Sequence, residues 1–508
     1  MAHRPDEGLV RLVVFHYHDR PGGVRQVISR GLPQLVRRLQ GVEEVVLLIG
    51  ELGDPRWLRE LEFSLCGTPL RVVVHRNLGY LSGGPPEISV DAQMLVLAEL
   101  SGKDVLVWAH NLSVGRNLPL LLCLPKWCAA AGALLWLHHH DWWWDGRWTR
   151  WADWQASGIY GLEEALALSV PTGEHIRHWC VNRCDLPWLQ IRAGTAARWV
   201  GNPLPESTLP DEREIRQATQ WLRDITGGRR VWLAPVRALR RKNLAEAILL
   251  AQHQAEPTCI VTTGGPSSAA EVPAWEFLCR AAVAQGWPFV PSVLAPGERI
   301  SRGPSGKNLS SLPSLSALLT AAHAIVMPSL QEGFGLPYLE AAALGKPLLA
   351  RALPEVSANL AALGCTLTTP YQSLPVPVGS FDAGGESIRL AARWHLVRPQ
   401  LPLELRMDRE AMPWSEGRDF GSLTLEAQLE VLQSRPDLPA PVPQPQVPCW
   451  PAGSRGEGWA DRFFQDASIA DFPLIDKGGQ GARSAPTSLL PEVMRRFHYW
   501  QDHPLLWP

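Results

Sequence analysis

The nine residues Glu332-Gly333-Phe334-Gly335-Leu336-Pro337-Tyr338-Leu339-Glu340 decide the reading of this chain. Ahead of them, His323-Ala324-Ile325-Val326-Met327 is a short apolar run that stops at Pro328-Ser329, the pattern of a buried strand ending in a loop. Glu332 therefore sits just past a strand's carboxyl end, where open α/β sheets bind their ligands. Gly333 and Gly335 remove the side chains that would keep a ligand away from backbone N–H groups. From Leu336 to Leu344 the spacing predicts a helix, with Pro337 in its first turn and Gly345 after its end. The start of such a helix offers unpaired donors and a partial positive charge, a setting suited to phosphate. Glu332 lies in the loop and Glu340 one helical turn in, so each carboxylate can accept hydrogen bonds from a different pair of hydroxyls. The competing reading is a helix whose acidic residues only favour its N-terminus.

Outward from this stretch, short apolar strands alternate with helix-like segments. Strands are predicted at 9–15, 45–49, 71–74, 104–109 and 133–137, and after Gly201-Asn202-Pro203-Leu204-Pro205 the pattern restarts at 231–234, 258–261, 323–327 and 347–350. Alternation of this kind predicts α/β architecture with parallel sheets, here as two doubly wound domains at 1–200 and 201–375. Beyond 375 the alternation fades, and residues 376–508 read as a Pro-rich extension with helix candidates at 423–432 and 488–500. Within it, Arg435 to Pro451 is crowded with proline and suits an extended linker. Leu118 to Leu137 is apolar over a membrane-spanning length, but Pro125-Lys126 and Gly132 divide it into a helix at 118–131 and a strand at 133–137.

With 508 residues, 46% of them hydrophobic, the chain has the material for two or three cores. A formal net charge of -2 argues against a broad basic face for nucleic acid. Charged residues scattered through Met1 to Arg11 do not make a secretion signal, and nine cysteines is an odd number for a disulfide scaffold. Reduced thiols in the cytoplasm are the expectation.

Glu332 to Glu340 resembles the Glu-x7-Glu motif of the retaining GT-B glycosyltransferases of group 1, the GT4 family. Four further features stand in that family's order: Gly22-Gly23-Val24-Arg25 after the first strand, His138-His139-His140-Asp141 at a later strand end, Gly201-Asn202-Pro203 mid-chain, and Arg237 to Asn243 ahead of a helix. Together they cover about residues 9 to 350. The resemblance implies a GT-B fold, α/β with two Rossmann-like doubly wound domains facing across a cleft and a C-terminal extension, whose last helix in this family packs back on the first domain. It implies hexosyl transfer from a nucleoside diphosphate sugar to a carbohydrate or glycan hydroxyl, with a UDP-sugar the leading donor. No further cofactor and no nucleic-acid partner are expected. The chain has no transmembrane segment by this reading, and peripheral membrane contact stays open.

The same resemblance assigns roles. Arg237 and Lys242 match an Arg-x4-Lys pattern that holds the donor diphosphate, with Gly23 and the backbone at Gly335 and Leu336. A forked guanidinium and a mobile ammonium suit that task, and a cation cluster at a helix start is disfavoured unless an anion is present. Arg240 and Arg241, between them, are expected on the surface. Glu332 positions the transferred sugar with Gly333 and Phe334, Glu340 holds the ribose, and His140 contacts the sugar, with His139 in reserve. Asn111, past the strand at 104–109, is a further candidate for donor or acceptor.

Other readings stay open beside this one: a non-catalytic scaffold of the same fold, or an epimerase-like sugar-nucleotide protein. Gly306-Lys307 lacks the upstream glycine and the following Ser or Thr of a P-loop. The chain has no Asp-x-Asp pair, as expected of metal-independent transfer. Three consecutive histidines cannot converge on one ion without backbone strain, so no metal is assigned. His178, Cys180 and Cys184 lack a fourth ligand in sequence. Trp142, Trp143, Trp144, Trp148, Trp151 and Trp154 either pack or present an acceptor, partner or lipid surface.

Overall fold

A computed structural model describes residues 11–20, 22–39, 41–81, 87–101, 104–203, 210–294, 312–368, 370–407, 418–449 and 488–507. They form two compact units. The first takes the described residues within Met1–Pro205, Pro399–Met407 and Gly458–His498; the second takes those within Glu206–Arg398, Asp408–Glu457 and Tyr499–Pro508. Residues 376–508 are thus divided between the units. The Gly306-Lys307 stretch lies outside the described residues.

In the first unit, β1 (Arg11–His18), β2 (Glu44–Glu51), β3 (Leu70–Val74), β4 (Val105–His110), β5 (Leu134–His139), β6 (Ile176–Cys180) and β7 (Ala197–Trp199) make one parallel sheet in the order β3-β2-β1-β4-β5-β6-β7. The direction of winding switches between β1 and β4. On one face, Leu12, Val14, Leu47, Trp108, Trp136 and Trp179 share a core with Ile28, Leu32 and Leu35 of the helix Gly23–Leu39. β6 and β7 escape the sequence pattern because Ile176-Arg177-His178-Trp179-Cys180 mixes polar with apolar residues and β7 has three residues. Pairing with neighbours, His178 opposite Ala197, makes them strands.

The apolar stretch after Asn117 forms the helix Leu118–Ala131, which ends at Gly132 in the left-handed conformation before β5 begins. Among the described residues, no helix is long and apolar enough to cross a membrane.

In the second unit, β8 (Arg230–Ala234), β9 (Thr258–Thr262), β10 (Phe289–Val290), β11 (Ala324–Met327) and β12 (Leu348–Ala350) form a parallel sheet in the order β10-β9-β8-β11-β12. Here the switch falls between β8 and β11. The proline-rich run has a definite place: Leu348 of β12 and Gln446 exchange two backbone hydrogen bonds, and Thr366 and Cys449 do the same. It closes an otherwise open sheet edge with a segment that has few donors left to recruit another chain.

The six tryptophans from Trp142 to Trp154 are each no more than 2% exposed, so they are core and not a surface. Trp142 Nε1 donates to Asp185 at 2.8 Å and Trp143 Nε1 to Ser169 at 2.8 Å. Within the same unit, Arg496 of the helix Leu490–Asp502 pairs with Asp145 at 2.7 Å and with Asp185, and Phe497 meets Trp148 edge-on. Burial raises the Asp145 carboxyl above its usual range and Arg496 opposes that shift. Truncation as Arg496→Ala would take the guanidinium from buried Asp185 and partly buried Asp145. We expect it to destabilise the first unit by about 3–5 kcal/mol, read by denaturant unfolding with tryptophan fluorescence; a loss below about 1 kcal/mol would be the surface-pair value and would overturn this account.

Candidate functional site

Because β8 and β11 are neighbours, the loops leaving their carboxyl ends run side by side. After β8 comes exposed Arg237, then a 3-10 turn at Arg240–Lys242, then Asn243 with φ 51° ahead of the helix Leu244–Gln252. After β11 comes Ser329 to Phe334, then Gly335 at the start of the helix Leu336–Ala343. The Leu330 N–H donates to the Arg241 carbonyl at 2.9 Å, and the Tyr499 hydroxyl donates to the Leu330 carbonyl at 2.7 Å. Sequence reasoning missed Tyr499, since nothing local marks a residue that works some 170 positions from its target.

At the junction, the Lys242 ammonium is hydrogen-bonded to the Glu332 carboxylate, with side chains 8% and 7% exposed. Arg241 stands 3.8 Å from the same carboxylate and donates to the Gln331 carbonyl. Arg240 is held by Glu271. The expectation that Arg240 and Arg241 are surface residues therefore fails: both are half-buried and engaged. Burial drives the Lys242 pKa down to about 8, against the pull of Glu332. For Glu332 burial acts upward, yet Lys242 and Arg241 overcome it and hold the carboxyl below its usual range. Arg237 adds a further repulsive charge on Lys242. The result is a dense cationic patch at a helix start, with Glu332 against Lys242 and Arg241, and Glu271 against Arg240.

Gly335 has two reasons to be glycine. Its φ is 88°, and a Cβ there would sit 2.7 Å from Val356 Cγ1. Gly333 is not among the residues with positive φ. Phe334 is buried and its carbonyl accepts from Asn359 at 3.2 Å, so of its groups the backbone N–H is the one to offer a ligand. Leu336 opens the helix and Glu340 lies one turn along it, half-buried. The apolar cavity lined by Ala238, Leu244, Trp275, Leu278 and Leu505 has neither Lys242 nor Glu332 in its wall.

In the first unit, His140 follows β5 and is buried, with Nε2 3.1 Å from Nδ1 of His110. His139 faces the other side of the sheet, bonded to Ser113 and His178 and stacked on Trp142. Asn111, with φ 60°, accepts from the backbone N–H groups of His140 and Asp141 at 3.3 and 3.0 Å. Its side chain is spent on shaping that turn. Burial, and then neighbouring imidazoles, depress His16 and His140 to about 3, and hold His110 and His138 well below the ordinary value, so this cluster is neutral. Gly23 starts its helix without steric compulsion, since a Cβ there would touch nothing. His178 is satisfied by His139 and the Pro171 carbonyl, and Cys180 is a buried thiol.

Residues 305–367, which contain the Glu332 loop and Glu340, match the family model described as Glycosyl transferases group 1. The two doubly wound units agree with the GT-B class. Among solved structures, HepE of Anabaena, crystallised with UDP-glucose, is similar at 15% identity over 71% of this chain and 85% of that one, with a TM-score of 0.47. WaaG, a glycosyltransferase involved in lipopolysaccharide biosynthesis, is similar at 14% identity over 70% and 85%, TM-score 0.41. A UDP-forming trehalose-phosphate synthase from Burkholderia vietnamiensis is similar at 13% over 70% and 87%, TM-score 0.43. Comparison with curated proteins finds no match.

Gly335→Ala should destabilise the second unit by about 2–4 kcal/mol, combining left-handed strain with overpacking against Val356. Gly333→Ala, which carries no left-handed strain, should cost less than Gly335→Ala. Equal losses in the two variants, measured by thermal unfolding, would contradict the geometry.

Proposed function

We propose that this protein transfers a hexosyl group from a nucleoside diphosphate sugar, a UDP-sugar foremost, to a hydroxyl of a carbohydrate or glycan, with retention at the anomeric carbon. The observation that carries the reading is the Lys242 ammonium lodged against the Glu332 carboxylate beside a helix start opened by Gly335. The family match over 305–367 supports the same class.

In this reading the diphosphate brings a further anion to the cationic patch. Arg237 binds its oxygens in a fork, Lys242 turns from Glu332 toward it, and the N–H groups at Gly335 and Leu336 donate to it. These donors are in place before reaction, so charge growing on the departing diphosphate meets a preorganised positive field. Side-chain cations take the part that a divalent ion plays at other diphosphate sites, and no cofactor takes part. Glu332, relieved of one partner, accepts from sugar hydroxyls, with the backbone at Gly333 and Phe334 beside it. Glu340 accepts from the ribose. His140 on the sugar and Gly23 near the diphosphate follow from the family resemblance alone. An odd number of cysteines, nine, suits a cytoplasmic setting.

Three measurements test this. A donor present at about 100 times its Kd should add about 2.7 kcal/mol of apparent stability, so a thermal-shift panel of nucleoside diphosphate sugars should single out one; a flat panel counts against the proposal. Glu332→Gln should cut transfer by about 10²-fold or more while the thermal shift with UDP largely persists, and unchanged transfer would remove Glu332 from the reaction. Lys242 is charged below about pH 8 and neutral above it. UDP affinity should therefore weaken as pH rises through that value, and the step should vanish in Lys242→Arg, whose guanidinium keeps its proton.

A further inference from the structure

The sheet of the first unit gathers histidines that lie apart in sequence. β4 and β5 pair with His110 directly beside His138. His140 comes two residues later, on the His138 side, because side chains alternate along extended chain. One nitrogen from each of the three lies within 4.8 Å of the others, and all three residues are buried. His110 Nδ1 and His140 Nε2 are already 3.1 Å apart. A tetrahedral ion with bonds of about 2.0–2.1 Å to nitrogen holds its ligands about 3.3 Å apart, so side-chain shifts of about 1 Å close the cage.

A second observation is independent of that spacing. Both ring nitrogens of His138, and Nε2 of His110, are buried without a hydrogen-bond partner. The Val200 backbone comes within reach of His138 and can serve at most one of its two ring nitrogens. Buried polar atoms normally find partners, and unfilled imidazole nitrogens on two rings of one cluster need a reason. His139 shows the ordinary structural solution one residue away, with Ser113 and His178 each 2.9 Å from a ring nitrogen.

We propose that His110, His138 and His140 bind one divalent transition ion of the zinc class, with water in the remaining position. The proton now shared by His110 Nδ1 and His140 Nε2 moves to the other nitrogen of the ring that carries it, so three neutral imidazoles ligate the ion and no proton is lost. The objection from three consecutive histidines does not apply, because His139 is not a ligand. The site shares no residue with the proposed diphosphate ligands, and His140 keeps one ring nitrogen for other contacts.

The test uses the full chain, stripped with EDTA and titrated with Co2+, whose visible absorption reports tetrahedral nitrogen ligation. About one Co2+ per chain should bind, without a thiolate charge-transfer band, and Zn2+ should displace it. His138→Gln should abolish the spectrum while near-ultraviolet circular dichroism stays native, and His178→Gln should retain it. The parent spectrum stands on its own where a variant fails to fold. Absence of cobalt bands in the parent, or bands undiminished in a folded His138→Gln, would overturn the proposal. Transfer activity is not the readout, so failure here leaves the glycosyltransferase reading untouched.

Discussion

The parallel pairing of β8 with β11 is the constraint on which the second unit's chemistry depends. Two strands separated by some 90 residues become neighbours, and their outgoing loops must then share one small volume at the carboxyl edge of the sheet. One loop brings Arg237, Arg241 and Lys242, the other Glu332 and a helix start. Lys242 and Glu332, of opposite sign and packed at low exposure, are stable there because they satisfy one another. Desolvation lowers the Lys242 pKa and Coulomb attraction lowers that of Glu332, so the pair stays ionic at neutral pH yet can exchange partners when an anion arrives.

The first unit solves a different problem at the same kind of edge. Its switch point, between β1 and β4, is lined by His16 and His110, with His138 and His140 on the next strand. There are no carboxylates in this cluster to hold the imidazoles charged, and burial keeps them neutral. The tryptophans that follow are buried, and Trp142 among them binds Asp145 and Asp185, whose charge Arg496 balances. One unit thus presents cations, the other neutral nitrogen donors.

Nine strands were legible in the sequence because a strand buried on both faces reads as a continuous apolar run. Histidines blurred the ends: β1 continues to His18, past the expected stop at Phe15, since His16 is buried like its apolar neighbours. β6, β7 and β10 were illegible because their strand character comes from a partner. The loop at Glu332 and the cation run before Asn243 were legible as local patterns of glycine, charge and helix start. Tyr499 on Leu330, Arg241 on Glu332 and Asn111 on the His140 turn were not, as each is a contact across long sequence separation.

The sequence by itself determined the class of architecture, the order of the strands along the chain and the stretch most suited to a phosphate, because periodicity and backbone permissiveness are local properties. Only the tertiary structure decided that Lys242 and Glu332 neutralise one another, that six adjacent tryptophans are interior, and that His138 and His140 converge with His110 while His139 turns away. Those outcomes follow from strand order and the two-residue period of extended chain, which fix which side chains meet and which leave water together.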